Sequence, residues 1–192
     1  SQLAPMNLST TVTNATCTQS GSATVNITGV GASALNNYCL SFPQYSQYST
    51  INNVNLTGDN NSITNNTSSI CNVYSDFTLQ SADVTPGNNY NIDLDLGTCH
   101  TGGFALEDIA NIYIDWNIDG DFNDPGEEVG IIPNGVASTV SIPITVPYSG
   151  AYGATRMRIV SQFLNNLPVS NIGPCDVGIM ANPIYVMPWF GA

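Results

Sequence analysis

The chain has 192 residues, with only two cations (Arg156 and Arg158) against 14 carboxylates and a formal net charge of −12. Such a chain cannot bind nucleic acid through a basic surface, because phosphate neutralisation needs clustered Lys and Arg, and it has little attraction for anionic lipid. With 42% apolar residues it can build a core, and it has no 18-residue apolar run that would span a membrane as a helix.

Residues 1–5 show neither a basic nor an apolar leader region, so a signal peptide is expected to be absent or already removed. From there the chain reads as short strands with period-2 alternation. Candidates in chain order are 10–16, 23–28, 51–56, 76–80, 90–96, 109–116, 139–146, 155–163 and 184–187. Turn signals separate them at Gly21-Ser22, Gly58-Asp59, Pro86-Gly87-Asn88, Asn134-Gly135 and Ser149-Gly150. No 12-residue window keeps an apolar stripe at helical spacing. The expected fold is all-β: an antiparallel β-sandwich, Ig-like or jelly-roll-like, with an N-terminal β-hairpin or strand extension. The expected division is 1–35 as the extension and 36–192 as the sandwich. Thirty-five residues cannot bury a core unaided, so the extension is expected to pack on the main domain or on a neighbouring subunit.

Five cysteines (Cys17, Cys39, Cys71, Cys99 and Cys175) are scattered without a CxxC pair, which reads as a disulfide framework of an extracellular protein. Spacing alone leaves the pairing open. Seven Asn-x-Ser/Thr sequons start at Asn7, Asn14, Asn26, Asn55, Asn60, Asn65 and Asn66. All lie in the first third, so glycan or a merely Asn/Thr-rich wet face is expected there.

One motif is sharp. The run Asp115-Trp116-Asn117-Ile118-Asp119-Gly120-Asp121-Phe122-Asn123-Asp124-Pro125-Gly126-Glu127-Glu128 holds six of the 14 carboxylates and follows a strand. Oxygen-bearing residues at positions 1, 3 and 5 with Gly at 6 resemble the first half of an EF-hand loop. A hard dication wants six to eight oxygens, and alternate side chains around a tight turn can supply them. The expected ligands of Ca2+ are Asp115, Asn117, Asp119, Asp121, Asp124 and Glu127. The competing reading is an Asx-capped turn without metal. Trp116, next to Asp115 on an alternating strand, is expected to face the core.

The run from Ile114 to Glu127 resembles the GEVED domain of secreted bacterial proteins, whose pattern is close to WIDWNxDGDFxDxGE. Tyr38-Cys39, Val84-Thr85-Pro86-Gly87-Asn88-Asn89-Tyr90, Ile144-Thr145-Val146-Pro147, Gly153-Ala154-Thr155-Arg156-Met157-Arg158 and Pro174-Cys175 match further family elements in order, so the resemblance covers about residues 36–188. Where the family has Gly-Glu-Val-Glu-Asp-Tyr this chain reads Gly178-Ile179-Met180-Ala181-Asn182-Pro183, without the three acids. The resemblance implies a Cys39–Cys175 pair, leaving Cys71 with Cys99 and Cys17 odd.

No catalytic constellation emerges. The one histidine, His100, sits in a Gly-rich turn beside Cys99, and no GxSxG elbow is present. Asp93 and Asp95 alternate with apolar residues as the wet face of a strand, and Glu107 and Asp108 read as a turn. Tyr45, Tyr48, Tyr148 and Tyr152 could offer rings to a sugar. Two functions are therefore expected. The first is a non-enzymatic extracellular module, a subunit of a cell-surface filament or adhesin that assembles as a homo-oligomer or polymer through terminal β-strands. The apolar tail, residues 183–190, supports it. The second is a calcium-dependent carbohydrate-binding module.

Overall fold

The computed structural model describes residues 7–13, 22–28, 38–41, 49–67, 71–72, 74–98, 107–136, 139–163, 172–176 and 190–191. These form ten strands and no helix: β1 (Asn7–Thr13), β2 (Ser22–Thr28), β3 (Thr50–Thr57), β4 (Ser62–Asn66), β5 (Asn89–Gly97), β6 (Glu107–Ile114), β7 (Glu128–Val136), β8 (Thr139–Thr145), β9 (Met157–Phe163) and β10 (Phe190–Gly191). Every pairing is antiparallel. β4-β3-β5-β8 make the first four-stranded sheet, and β10-β9-β6-β7 make the second. β1 and β2 pair with each other as a separate ribbon. The all-β sandwich read from alternation is the architecture found.

Alternation decides which face each sheet buries. In β5, Ile92, Leu94 and Leu96 are buried while Asp93 and Asp95 stay half-exposed, so the outer face of the first sheet is wet, as the sequence pattern implies. From the second sheet, Ala110, Ile112, Ile114, Ile132 and Ile159 meet Val54, Leu56, Ile92, Leu94, Leu96 and Ile144 in the inter-sheet core. Each such aliphatic side chain contributes about 1.5–3 kcal/mol by leaving water. Trp116 packs against this cluster, as expected.

The second sheet is covered on its outer face too. Ile109, Tyr113, Val160, Phe122 and Ile172 form a second buried cluster, with Tyr38 against it. β6 thus sends alternate residues into two cores. The odd-numbered set, which ends at Asp115, faces the outer one. This places Asp115 under the loop that follows it.

Four elements differ from the reading of the sequence. Residues 76–80 are a turn, because the Asp76 carboxylate accepts a hydrogen bond from the Thr78 N–H (2.9 Å) and closes an Asx turn against strand pairing. β7 is not among the strands expected from the sequence, and Asn134-Gly135 lies inside it at an irregularity of the β6–β7 ladder, so turn-forming residues serve a bulge. Glu107 and Asp108 belong to β6, not to a turn, and Asp108 is fully buried. β4 was not anticipated, because its Asn-rich sequence lacks strand alternation. The candidate strand 184–187 lies outside the described residues.

Pro86-Gly87 is the anticipated turn. Gly87 has φ +84°, and a Cβ there would stand 2.1 Å from Cζ of Tyr148. Gly87→Ala is expected to cost about 1–2 kcal/mol for the left-handed backbone. Thermal denaturation should show a melting point lower by roughly 5 °C.

Candidate metal centre

The acidic loop leaves the end of β6 and folds on a ladder of side-chain caps. Asn117 Oδ1 accepts from the Asp119 N–H (3.1 Å), Asp119 Oδ1 from the Asp121 N–H (3.2 Å), and Asp121 Oδ1 from the Asn123 N–H (2.8 Å). Short oxygen-bearing side chains that bond the backbone two residues on explain why the loop is written in Asp and Asn. Gly120 (φ +94°) turns the chain inward. Ile118 also adopts positive φ (59°), an unusual state for a β-branched residue.

Asp115 is the hub. It is fully buried, and its carboxylate accepts from Tyr38 Oη–H (2.5 Å) and from the N–H groups of Ile118 (2.6 Å), Gly120 (3.0 Å) and Asp119 (3.3 Å). A carboxylate has about four lone-pair sites, so these donors occupy its capacity. The Asp115 backbone is tied to the strand opposite, its N–H donating to the Arg156 carbonyl (3.1 Å) and its carbonyl accepting from the Thr155 hydroxyl. Burial, followed by the hydrogen bond to Asp115, pushes the Tyr38 hydroxyl well above the usual tyrosine range, so it stays a donor.

The carboxylates gather into two overlapping groups. One oxygen each from Asp115, Asp119 and Glu127 lies within 4.8 Å of the others, and the same holds for Asp119, Asp121 and Asp124. Oxygens about 2.4 Å from one calcium ion are separated by no more than about 5 Å, so either spacing can hold a hard cation. Glu127 is nearly fully buried. Its Oε2 accepts the Asp124 N–H (3.2 Å), but its Oε1 has no hydrogen-bond partner. Burial pushes Glu127 up to about 7, the Asp124 contact lowers it, and repulsion from Asp115, Asp124 and Asp119 raises it. An orphaned buried oxygen among like charges is a site that a cation would relieve. Because Asp115 is occupied, Glu127, with its unpartnered Oε1, is the residue freest to ligate.

The expected ligands are thus brought into one loop, with one difference in orientation. Asn117 turns its amide nitrogen toward the acids, donating to Asp124 Oδ2 (2.5 Å) and Asp119 Oδ2 (3.1 Å). In this pose it cross-links carboxylates rather than offering them a neighbouring oxygen ligand.

Beneath the loop, Phe122 stacks at 4.8 Å on Tyr38 and at 6.2 Å on Tyr113. Arg156 lies 4.9 Å over the Tyr38 ring, and Arg158 lies 4.9 Å over Phe122. Arg158 also donates to the Pro174 carbonyl (2.7 Å) and approaches Cys39 Sγ (3.2 Å). The strand-end aspartate, the aromatic plug and the two arginines form one assembly closed by the Cys39–Cys175 disulfide.

Residues 110–178 match the family model of the GEVED domain. The match spans 69 of the 192 residues. The family match begins in β6, includes the whole acidic loop and the paired arginines, and stops at Gly178, where the naming acids are missing from this sequence. No curated protein and no solved structure matches the chain. The Cys39–Cys175 pairing that the GEVED resemblance implies is present, and it joins the segment before β3 to the end of the GEVED stretch. Cys71 is also disulfide-bonded, and the two other cysteines, Cys17 and Cys99, lie outside the described residues.

The other candidates are more scattered. Asn7 and Asn26 lie on β1 and β2, and Asn14 lies outside the described residues. Asn55 is half-exposed on β3, its Oδ1 accepting from Thr64, whereas Asn65 is buried. Tyr148 and Tyr152 are each 80% exposed, while His100, Tyr45 and Tyr48 lie outside the described residues. Sequence reasoning missed Tyr38 as the partner of Asp115, 77 positions away, because no local pattern links them.

Proposed function

We propose that this chain is a non-enzymatic structural module of an extracellular, cell-surface assembly, a filament or adhesin subunit, rigidified by Ca2+ bound in the 115–127 loop. The observation that carries the calcium part is the buried, unpartnered Glu127 Oε1 beside Asp119 and Asp115. The ion would neutralise the loop and fix its aromatic plug on the outer core; it would do no chemistry on a substrate. Three disulfide-bonded cysteines, Cys39, Cys71 and Cys175, support an oxidising compartment. The β1–β2 ribbon supports assembly by strand contacts, because a lone two-stranded hairpin is marginal in water and gains stability from a partner surface.

Calcium in thousandfold excess over its dissociation constant should stabilise the fold by about 4 kcal/mol. That corresponds to a melting point roughly 8–16 °C above the value in chelator, and Glu127→Gln should remove most of the gain. Negative-stain electron microscopy with calcium and then with chelator tests the assembly. Ordered polymers in calcium that shorten or vanish in chelator are expected. Isolated particles in both conditions would sink the structural reading.

A second reading is a calcium-dependent carbohydrate-binding module. The exposed rings of Tyr148 and Tyr152 favour it, since both flank one turn and offer flat apolar faces. Chelator-sensitive binding to a glycan array would support it.

A further inference from the structure

Neither half of the Cys39–Cys175 clasp belongs to a strand. The first half meets the sandwich through Tyr38, the residue before Cys39. Its hydroxyl donates to Asp115 (2.5 Å), and its ring lies 4.8 Å from that of Phe122, which the acidic loop carries. The second half meets it through Ile172, buried in the same outer core as Phe122, and through the Pro174 carbonyl, which accepts from Arg158 (2.7 Å). Arg158 in turn lies 4.9 Å over the Phe122 ring. Phe122 is therefore seated by groups from both halves, and the S–S bond holds those halves together across a sequence separation of 136.

The seat of Phe122 bears on the acids. The ring lies in sequence between Asp119 and Glu127, whose oxygens come within 4.8 Å of each other. Mutual repulsion of the carboxylates works to open the loop, and the seated ring works to keep it closed. Whatever fixes the seat lowers the cost of assembling the site for an ion, and by linkage the ion fixes the seat in return. The bond is also within reach of a reductant, since Cys39 and Cys175 are half-exposed. Arg158 Nη1 stands 3.2 Å from Cys39 Sγ, where its charge favours a departing thiolate. A dithiol reductant attacks Cys175 Sγ through one sulfur and releases Cys39. Its second sulfur then displaces Cys175. The reductant closes to its own disulfide, and its two protons pass to Cys39 and Cys175. We propose that the Cys39–Cys175 bond is a redox control on the metal loop: intact, it seats Tyr38 and Phe122 and raises the affinity for Ca2+; reduced, it lets the loop open and release the ion. The proposal rests on the calcium reading above and names what regulates that site.

The test uses the full chain. In titration calorimetry with Ca2+, the double variant Cys39→Ser/Cys175→Ser, which keeps the bond at Cys71, should bind at least tenfold more weakly than the oxidised parent. The parent itself supplies a second measurement. It is treated with dithiothreitol, and the thiols released are alkylated and counted by mass spectrometry. Saturating Ca2+ should slow alkylation of Cys39 and Cys175 at least tenfold relative to chelator, and should slow that of Cys71 far less. If the double variant does not fold, the alkylation rates decide. Equal affinity in parent and folded variant, or equal slowing at all three cysteines, would overturn the control while leaving the calcium reading standing. An oxidised parent that takes up no Ca2+ would overturn both.

Discussion

Asp115→Ala is expected to be the most damaging single substitution in the described structure. It removes a fully buried carboxylate and with it the acceptor of Tyr38 Oη and of three loop N–H groups that are buried or half-buried. Each buried donor left unsatisfied costs about 1–3 kcal/mol, and relaxation of the loop recovers part of the total. A net loss of about 4 kcal/mol corresponds to a melting point lower by roughly 8–16 °C. The loss should persist in chelator, because the carboxylate caps the backbone whether or not an ion is bound. The aromatic plug should loosen with it, exposing the loop amides to hydrogen exchange. A melting point within 2 °C of the parent, measured in chelator, would show that the hub is dispensable.

The second large effect concerns pH and a residue far from the loop. Asp108 is fully buried on β6, and neither of its carboxylate oxygens has a hydrogen-bond partner. Burial pushes it up to about 8, and the neighbouring Ser49 hydroxyl, itself bonded to Ser161 at 3.0 Å, offsets only part of this. The folded state therefore holds this proton more tightly than the unfolded chain does. Its contribution to stability is fully present below about pH 4 and declines as pH rises toward 8, with an upper bound of about 6 kcal/mol. Asp83 acts in a separate window. Hydrogen bonds from the Asn60 side chain and from the Asn61 and Asn60 amides hold it at about 2, so its contribution is lost only as pH falls below 4. Asp108→Asn should flatten the decline between pH 5 and 8 and raise the urea midpoint at pH 8. An unchanged pH profile in the variant would assign the decline to other groups.

Much of the sandwich is legible from local pattern. Ile92-Asp93-Leu94-Asp95-Leu96 alternates strictly and becomes β5 with the anticipated dry and wet faces. The acidic loop is legible for a related reason: its Asp and Asn side chains bond backbone two residues away, so its geometry is written within the motif. What could not be read depends on contacts far apart in the chain. The Tyr38–Asp115 bond, the second core under Phe122 and the burial of Asp108 all arise from sheet pairing between distant segments. Bulges add to this, since Asn134-Gly135 reads as a turn until the ladder to β6 shows it inside a strand. The orientation of Asn117 was likewise invisible, because its two amide ends are equivalent in sequence and only the placement of Asp124 distinguishes them.

The Cys39–Cys175 bond has a mechanical consequence. It closes a loop of sequence separation 136 that contains every strand from β3 to β9. Tension applied through the flanking segments passes from one sulfur to the other and bypasses β3 to β9, whereas β10, which follows Cys175, stays outside the clasp. At about 3.4 Å per extended residue, roughly 460 Å of contour length is shielded from a pull along the chain. The acidic loop, the aromatic plug and the inter-sheet core all lie inside that shielded length. A molecule under traction would extend outside the clasp while β3 to β9 keep their arrangement, and reduction of this bond would pass the load to those strands and to the second disulfide at Cys71.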